Sequence, residues 1–128
     1  MTAIATNNAP AAIGPYVQGV TFGDMVITSG QLPIDPETKA MVEDVAEQAT
    51  QSLTNALAIV KKAGLEASNI VKTTVFVKDL NDFALVNAAY EAFFNAHNAP
   101  FPARSCVEVA RLPMDAKVEI EVIAVRKG

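Results

Sequence analysis

Val45, Ala49, Leu53, Ala56, Leu57 and Val60 stand three or four residues apart within residues 42–63, the spacing of one face of an α-helix. Both ends of the stretch are marked. Glu43, Asp44 and Glu47 would meet the positive end of the helix dipole and Lys61 and Lys62 the negative end, while Gly64 stands where a left-handed residue closes a helix. A helix with one apolar face has to bury it, and most of the remaining chain reads as strands that could take it.

"YVQGV" and "MVITSG", with a turn at residues 22–24, predict a hairpin, and "LPIDPETK" supplies turn chemistry after it. "NIVKTTVFVK", residues 69–78, is β-branched and aromatic and predicts a strand. A second helix is expected from a cap at Asn81 or Asp82 to about His97, burying Phe83, Val86, Tyr90 and Phe93 or Phe94 before Pro100 and Pro102 end the pattern. Strands at about residues 104–111 and 118–125, joined by "LPMDAK", close the chain. The order β-β-α-β-α-β-β predicts an α+β fold: a mixed sheet with two helices on one face, each joining neighbouring parallel strands. With 128 residues, no internal repeat and no linker, the whole chain 1–128 is expected to be one domain.

Two helices on one face leave the other bare, and strand alternation assigns residues to it. In residues 69–78, Val71, Thr73, Val75 and Val77 are expected under the helices and Lys72, Thr74 and Phe76 outside. In residues 104–111, Ser105, Val107 and Val109 go under, turning Arg104, Cys106, Glu108 and Ala110 outward. In the last strand Val118, Ile120, Val122 and Ala124 go under, with Glu119, Glu121, Ile123 and Val125 outside. Such a face is too apolar for water and too charged for a core. Since 51% of residues are hydrophobic and only 19% charged, a symmetric oligomer with clefts at its edges would satisfy both properties; periodicity leaves trimer and dimer open.

Ten basic against fourteen acidic residues, with the cations scattered, leave a net charge of -4 and no footprint for a phosphate backbone. One cysteine makes no internal disulfide, the first residues lack a signal-peptide pattern, and no apolar run approaches the roughly 20 residues that span a bilayer, so a cytoplasmic protein is expected. With one histidine, one cysteine and no grouped carboxylates, no metal is expected, and no phosphate loop or dinucleotide motif implies a cofactor.

Arg104 offers a planar fork matched to a carboxylate or phosphate, or else a fixed ion pair with Glu119 or Glu121 across a hairpin. Glu119 is a general base if burial raises its pKa, or the other half of that pair. Cys106 reads as a small buried thiol, because His97, its one available base, has no spacing rule linking the two. His97 itself suits a helix C-terminus. Gly30 in "TSGQ" marks a strand end or a close backbone approach. Asn87, one turn from Tyr90, is the polar member of an apolar side.

"PARSCVEVARLPMDAKVEIEVIAV", residues 102–125, resembles the C-terminal signature of the RidA/YjgF family of reactive intermediate deaminases, and "NAPAAIGPYVQGV", "ITSGQLP", "IVKTTVFVKDLNDFA" and "YEAFF" are similar to that family's other blocks in order. The resemblance covers nearly the whole chain. It implies a chorismate-mutase-like fold, a homotrimer with ligand clefts between subunits, and cofactor-free hydrolysis of 2-imino acids, released by pyridoxal-phosphate dehydratases, to 2-oxo acids and ammonia. It further implies that Arg104 grips the substrate carboxylate and Glu119 positions or activates water. Cys106 and Gly30 would face the ligand through their backbone, while Tyr16, Ser29 and Asn87 would line the cleft. A non-catalytic binder of small 2-oxo acids and a chaperone-like protein are the competing expectations.

Overall fold

The structure, a computed structural model, describes residues 1–127. Its elements are β1 (Thr2–Ile4), β2 (Gly19–Phe22), β3 (Met25–Thr28), α1 (Val45–Lys62), β4 (Ile70–Val77), α2 (Phe83–Ala96), β5 (Ala103–Glu108) and β6 (Val118–Val125). The strands form one sheet in the order β1-β2-β3-β6-β4-β5, with β4 and β5 parallel and every other pair antiparallel. Both helices cover the same face. Ala49, Leu53, Ala56, Ile59 and Val60 of α1 and Val86, Tyr90, Phe93 and Phe94 of α2 are buried there with the inward residues of β3, β4 and β6. Among the described residues, no helix is long and apolar enough to cross a membrane.

Both helices end where expected, but α1 starts at Val45, later than the expected residue 42, leaving Glu43 outside its first turn. The Asp44 carboxylate caps α1 by accepting from the Glu47 amide at 2.9 Å, and Gly64 takes a left-handed φ of 86° beyond its end. β6 keeps strict alternation, with Val118, Ile120, Val122 and Ala124 buried and Glu119, Glu121, Ile123 and Val125 half-buried on the open face.

The sheet differs from expectation in four ways. An extra strand, β1, pairs with β2, so there are six strands where five were expected. β6 lies between β3 and β4, so the crossover through α1 joins parallel strands that are not neighbours. A bulge between Ile70 and Lys72 puts Ile70 in the core and leaves Val71, expected inside, exposed. The fourth difference bears on function. β5 pairs only with β4, so the segments at 104–111 and 118–125 form no hairpin, and the register sets Arg104 beside Thr73, Cys106 beside Val75 and Glu108 beside Val77. Paired residues in a parallel ladder share a face, and Thr73, Val75 and Val77 are buried under the helices. Arg104, Cys106 and Glu108 therefore lie on the helix side, while Ser105 and Val107 occupy the open face, the reverse of the alternation reading.

Candidate active site

The open face ends in a cleft of about 800 Å³ whose lining includes Tyr16, Ser29, Gly30, Phe76, Glu119 and Glu121. A bulge shapes its floor. Four steps along the chain from Ile27 to Gln31 face three from Ile123 to Ile120, so the stretch after β3 arches beside β6 before Gln31 re-pairs with Ile120. Inside the arch, Thr28 Oγ1 accepts from the Val122 amide at 3.0 Å, and the Ser29 hydroxyl donates to the Val17 carbonyl at 2.5 Å. Gly30 is where backbone and carboxylate meet: a β-carbon on it would lie 2.9 Å from Glu119 Cδ and 3.0 Å from Glu119 Oε1. Partial burial, followed by the like charge of Glu121 two residues on, pushes the Glu119 carboxyl above its ordinary pKa. A carboxylate held in that state is a better proton acceptor than a free one.

Arg104, Asn87 and Cys106 assemble elsewhere. Arg104 Nη1 donates to Asn87 Oδ1 at 2.6 Å, and the guanidinium carbon stands 4.8 Å from the Tyr90 ring centroid and 5.5 Å from that of Phe83. Phe83, Asn87 and Tyr90 recur at four and three residues along α2, so one helix face forms a platform for the cation. The Tyr90 hydroxyl is anchored 2.7 Å from the buried Thr73 Oγ1. Burial pushes the Cys106 thiol up, against a smaller opposing pull from Arg104. His97 stands at the end of α2, as expected, with Nδ1 2.8 Å from the Phe93 carbonyl. Cys106 is thus a neutral thiol packed against the core.

Two groups result, on opposite faces of one sheet. Tyr16, Ser29, Gly30 and Glu119 share the open-face cleft; Arg104, Asn87 and Cys106 share the helix side at the β5 edge. β4 stands between β5 and β6, so the ion pair of Arg104 with Glu119 or Glu121 does not form, and among the described residues no carboxylate lies within salt-bridge distance of Arg104. The Phe83–Tyr90 platform was not foreseen, although its spacing was present: both residues were read as core, yet Phe83 is exposed and Tyr90 turns its ring to the cation. Leu32, Ile34 and Lys39, in the loop between β3 and α1, and Met114, in a single 3-10 turn between β5 and β6, also line the cleft and carry no sequence signal of a site. Among the described residues, no three His, Cys, Asp or Glu side chains group as a metal would require.

A mixed six-stranded sheet with two helices on one face and a carboxyl-bearing cleft on the other is the chorismate-mutase-like α+β architecture. Residues 6–126 match the family model described as Endoribonuclease L-PSP, and the chain belongs to this family, the RidA/YjgF family. The 2-iminobutanoate/2-iminopropanoate deaminase of Salmonella typhimurium strain LT2 is 74% identical over 124 residues, 97% of either chain. The crystal structure of the YjgF gene product from E. coli superposes with a TM-score of 0.98 at 69% identity, over 99% of this chain and 100% of that one. E. coli TdcF crystallised with bound serine gives a TM-score of 0.97 at 57% identity, over 99% and 100% of the two chains.

Proposed function

We propose that this chain, acting as one domain, hydrolyses 2-iminobutanoate and 2-iminopropanoate to the 2-oxo acids and ammonia in a site built from two copies of itself. The observation that carries the reading is the separation of Arg104 and Glu119 onto opposite faces of the sheet, with the guanidinium unpaired by any carboxylate among the described residues and the carboxyl raised in pKa. Neither group completes a site within one chain. Packing the bare sheet face of one copy against the β5 edge of the next would bring them together, and repetition around a threefold axis gives a homotrimer with three equivalent clefts.

In such a cleft the Arg104 fork, steadied by Asn87 and the α2 rings, holds the substrate carboxylate. Water adds to C2 of the protonated imine as Glu119 takes the proton the water loses. The carbinolamine nitrogen then takes that proton back, the C–N bond breaks as the hydroxyl oxygen forms the carbonyl, and the hydroxyl proton passes by way of Glu119 to the departing ammonia, which leaves as ammonium. A protonated imine is already electrophilic, so fixing it beside one oriented water supplies most of what the reaction needs, without metal or cofactor. Tyr16 and Ser29 line the cleft, and Gly30 and Cys106 offer backbone groups to the ligand. The charge balance of ten basic and fourteen acidic residues offers nucleic acid and anionic membranes little, which suits a cytoplasmic enzyme of small acids.

A threonine dehydratase supplies the test. Wild-type protein should speed 2-oxobutanoate release under conditions where free imine hydrolyses slowly, whereas Arg104→Ala and Glu119→Gln should not. Equal rates in all three would sink the assignment, and saturable 2-oxobutanoate binding without acceleration would mark a binder in place of an enzyme.

A further inference from the structure

The polar side chains buried along α1 have no part in an apolar core. Gln48, Ser52 and Asn55 are 2%, 0% and 0% exposed and recur at four and three residues. Asn55 Nδ2 donates to the carbonyls of Leu32 at 3.0 Å and Ile34 at 2.9 Å, while its Oδ1 accepts from Gln51 Nε2 at 2.9 Å. Gln48 Nε2 donates to the Val42 carbonyl at 2.7 Å, and its Oε1 accepts from the amide of Lys117, two residues before Glu119, at 2.9 Å. The Ser52 hydroxyl has no partner among the described residues, but a buried amide with unmet bonds is costly, so Gln48 and Asn55 stay buried only while the backbone they grip stays in place. What Asn55 grips lies outside every strand, between the Gln31–Ile120 bridge and α1. It is also the part of the cleft lined by Leu32, Ile34 and Pro36.

We infer that Asn55 is a positioning residue, holding in place the apolar wall that receives the substrate's side chain. The inference rests on the imine-hydrolysis reading. With the carboxylate on Arg104 of another copy and the attacking water at Glu119, the one apolar substituent on C2 is the side chain, and the wall of Leu32, Ile34 and Pro36 is an apolar surface available to it. A methyl group on C2 offers that wall little surface. A branched side chain offers it several carbons to cover, so its binding should depend more on the order of the wall.

The test compares 2-imino acids formed in situ from alanine and from leucine by an amino-acid oxidase, with kcat and KM measured for wild type and Asn55→Ala. The expected result is a rise of about tenfold in KM for the branched imine, with kcat and KM for the short imine within about twofold of wild type. A fall in kcat/KM by the same factor for both substrates would overturn the inference, since a merely structural residue affects both alike. Gln51→Leu, at a half-buried position, removes the donor that orients the Asn55 amide without opening a cavity. It should shift the ratio in the same direction by less, and an unchanged ratio in that folded variant overturns the inference even if Asn55→Ala does not fold. A wild type that accelerates neither imine fails the hydrolysis reading itself and takes the inference with it.

Discussion

Gly30 has no room for a side chain, because a β-carbon there would press on the Glu119 carboxyl. The clash is with the end of a side chain and not with backbone, so Gly30→Ala should fold while displacing the carboxyl from its water. A displacement near 1 Å costs about a hundredfold, and kcat for imine hydrolysis should fall toward that limit with little change in melting temperature. Glu119 carries a stability consequence of opposite sign to its proposed catalytic value. Burial and Glu121 raise its folded pKa above the unfolded one, so between the two the folded chain binds more protons and loses stability as pH rises. Glu119→Gln should therefore melt above wild type at neutral pH, the gap closing as pH falls through the raised folded pKa and being gone by the ordinary glutamate pKa of about 4.3. Wild-type activity should drop on acidification with an apparent pKa above that value, and thermal scans and rate profiles on the same samples would check both.

At the scale of elements, α2 presents Phe83, Asn87 and Tyr90 to Arg104, and β4 contributes Thr73 to fix the Tyr90 hydroxyl. Removing the Asn87 bond by Asn87→Ala takes one charge-assisted contact from the guanidinium and should raise KM by about tenfold while leaving kcat within about threefold. Steady-state kinetics separate that pattern from a loss of the reaction itself. α1 was legible almost residue by residue, since its caps and dipole charges are local chemistry written within one turn of each end. β6 was legible too, because a central strand is dried on its helix face and alternation then records which side chains go in. β1 was missed for the opposite reason: three residues at a sheet edge, of which Ile4 alone is buried, leave no period to read.

For the whole molecule, the proposed sharing of each site between copies predicts complementation. Arg104→Ala and Glu119→Gln, each inactive alone, should regain activity when unfolded together and refolded as mixed trimers. Random assembly pairs an intact arginine with an intact glutamate in about one site in four, so about a quarter of wild-type activity is expected. Sites contained within single chains would give none, and light scattering on the wild type tests the trimer directly.

The sequence by itself determined where both helices end, the inward and outward sets of β6 and, beyond its bulge, of β4, and, through its motif blocks, the family and the residues worth watching. Only the tertiary structure decided which side of the sheet Arg104 faces. β5 is an edge strand that water reaches from both sides, so Val107 can be exposed and Cys106 half-buried without penalty, and the alternation of apolar residues there carries no record of orientation. The parallel register against β4 sets it instead, pairing Arg104 with buried Thr73. That pairing is made across residues far apart in the chain, and it puts Arg104 and Glu119 on opposite faces of the sheet, so that the partnership proposed for them calls for a second copy.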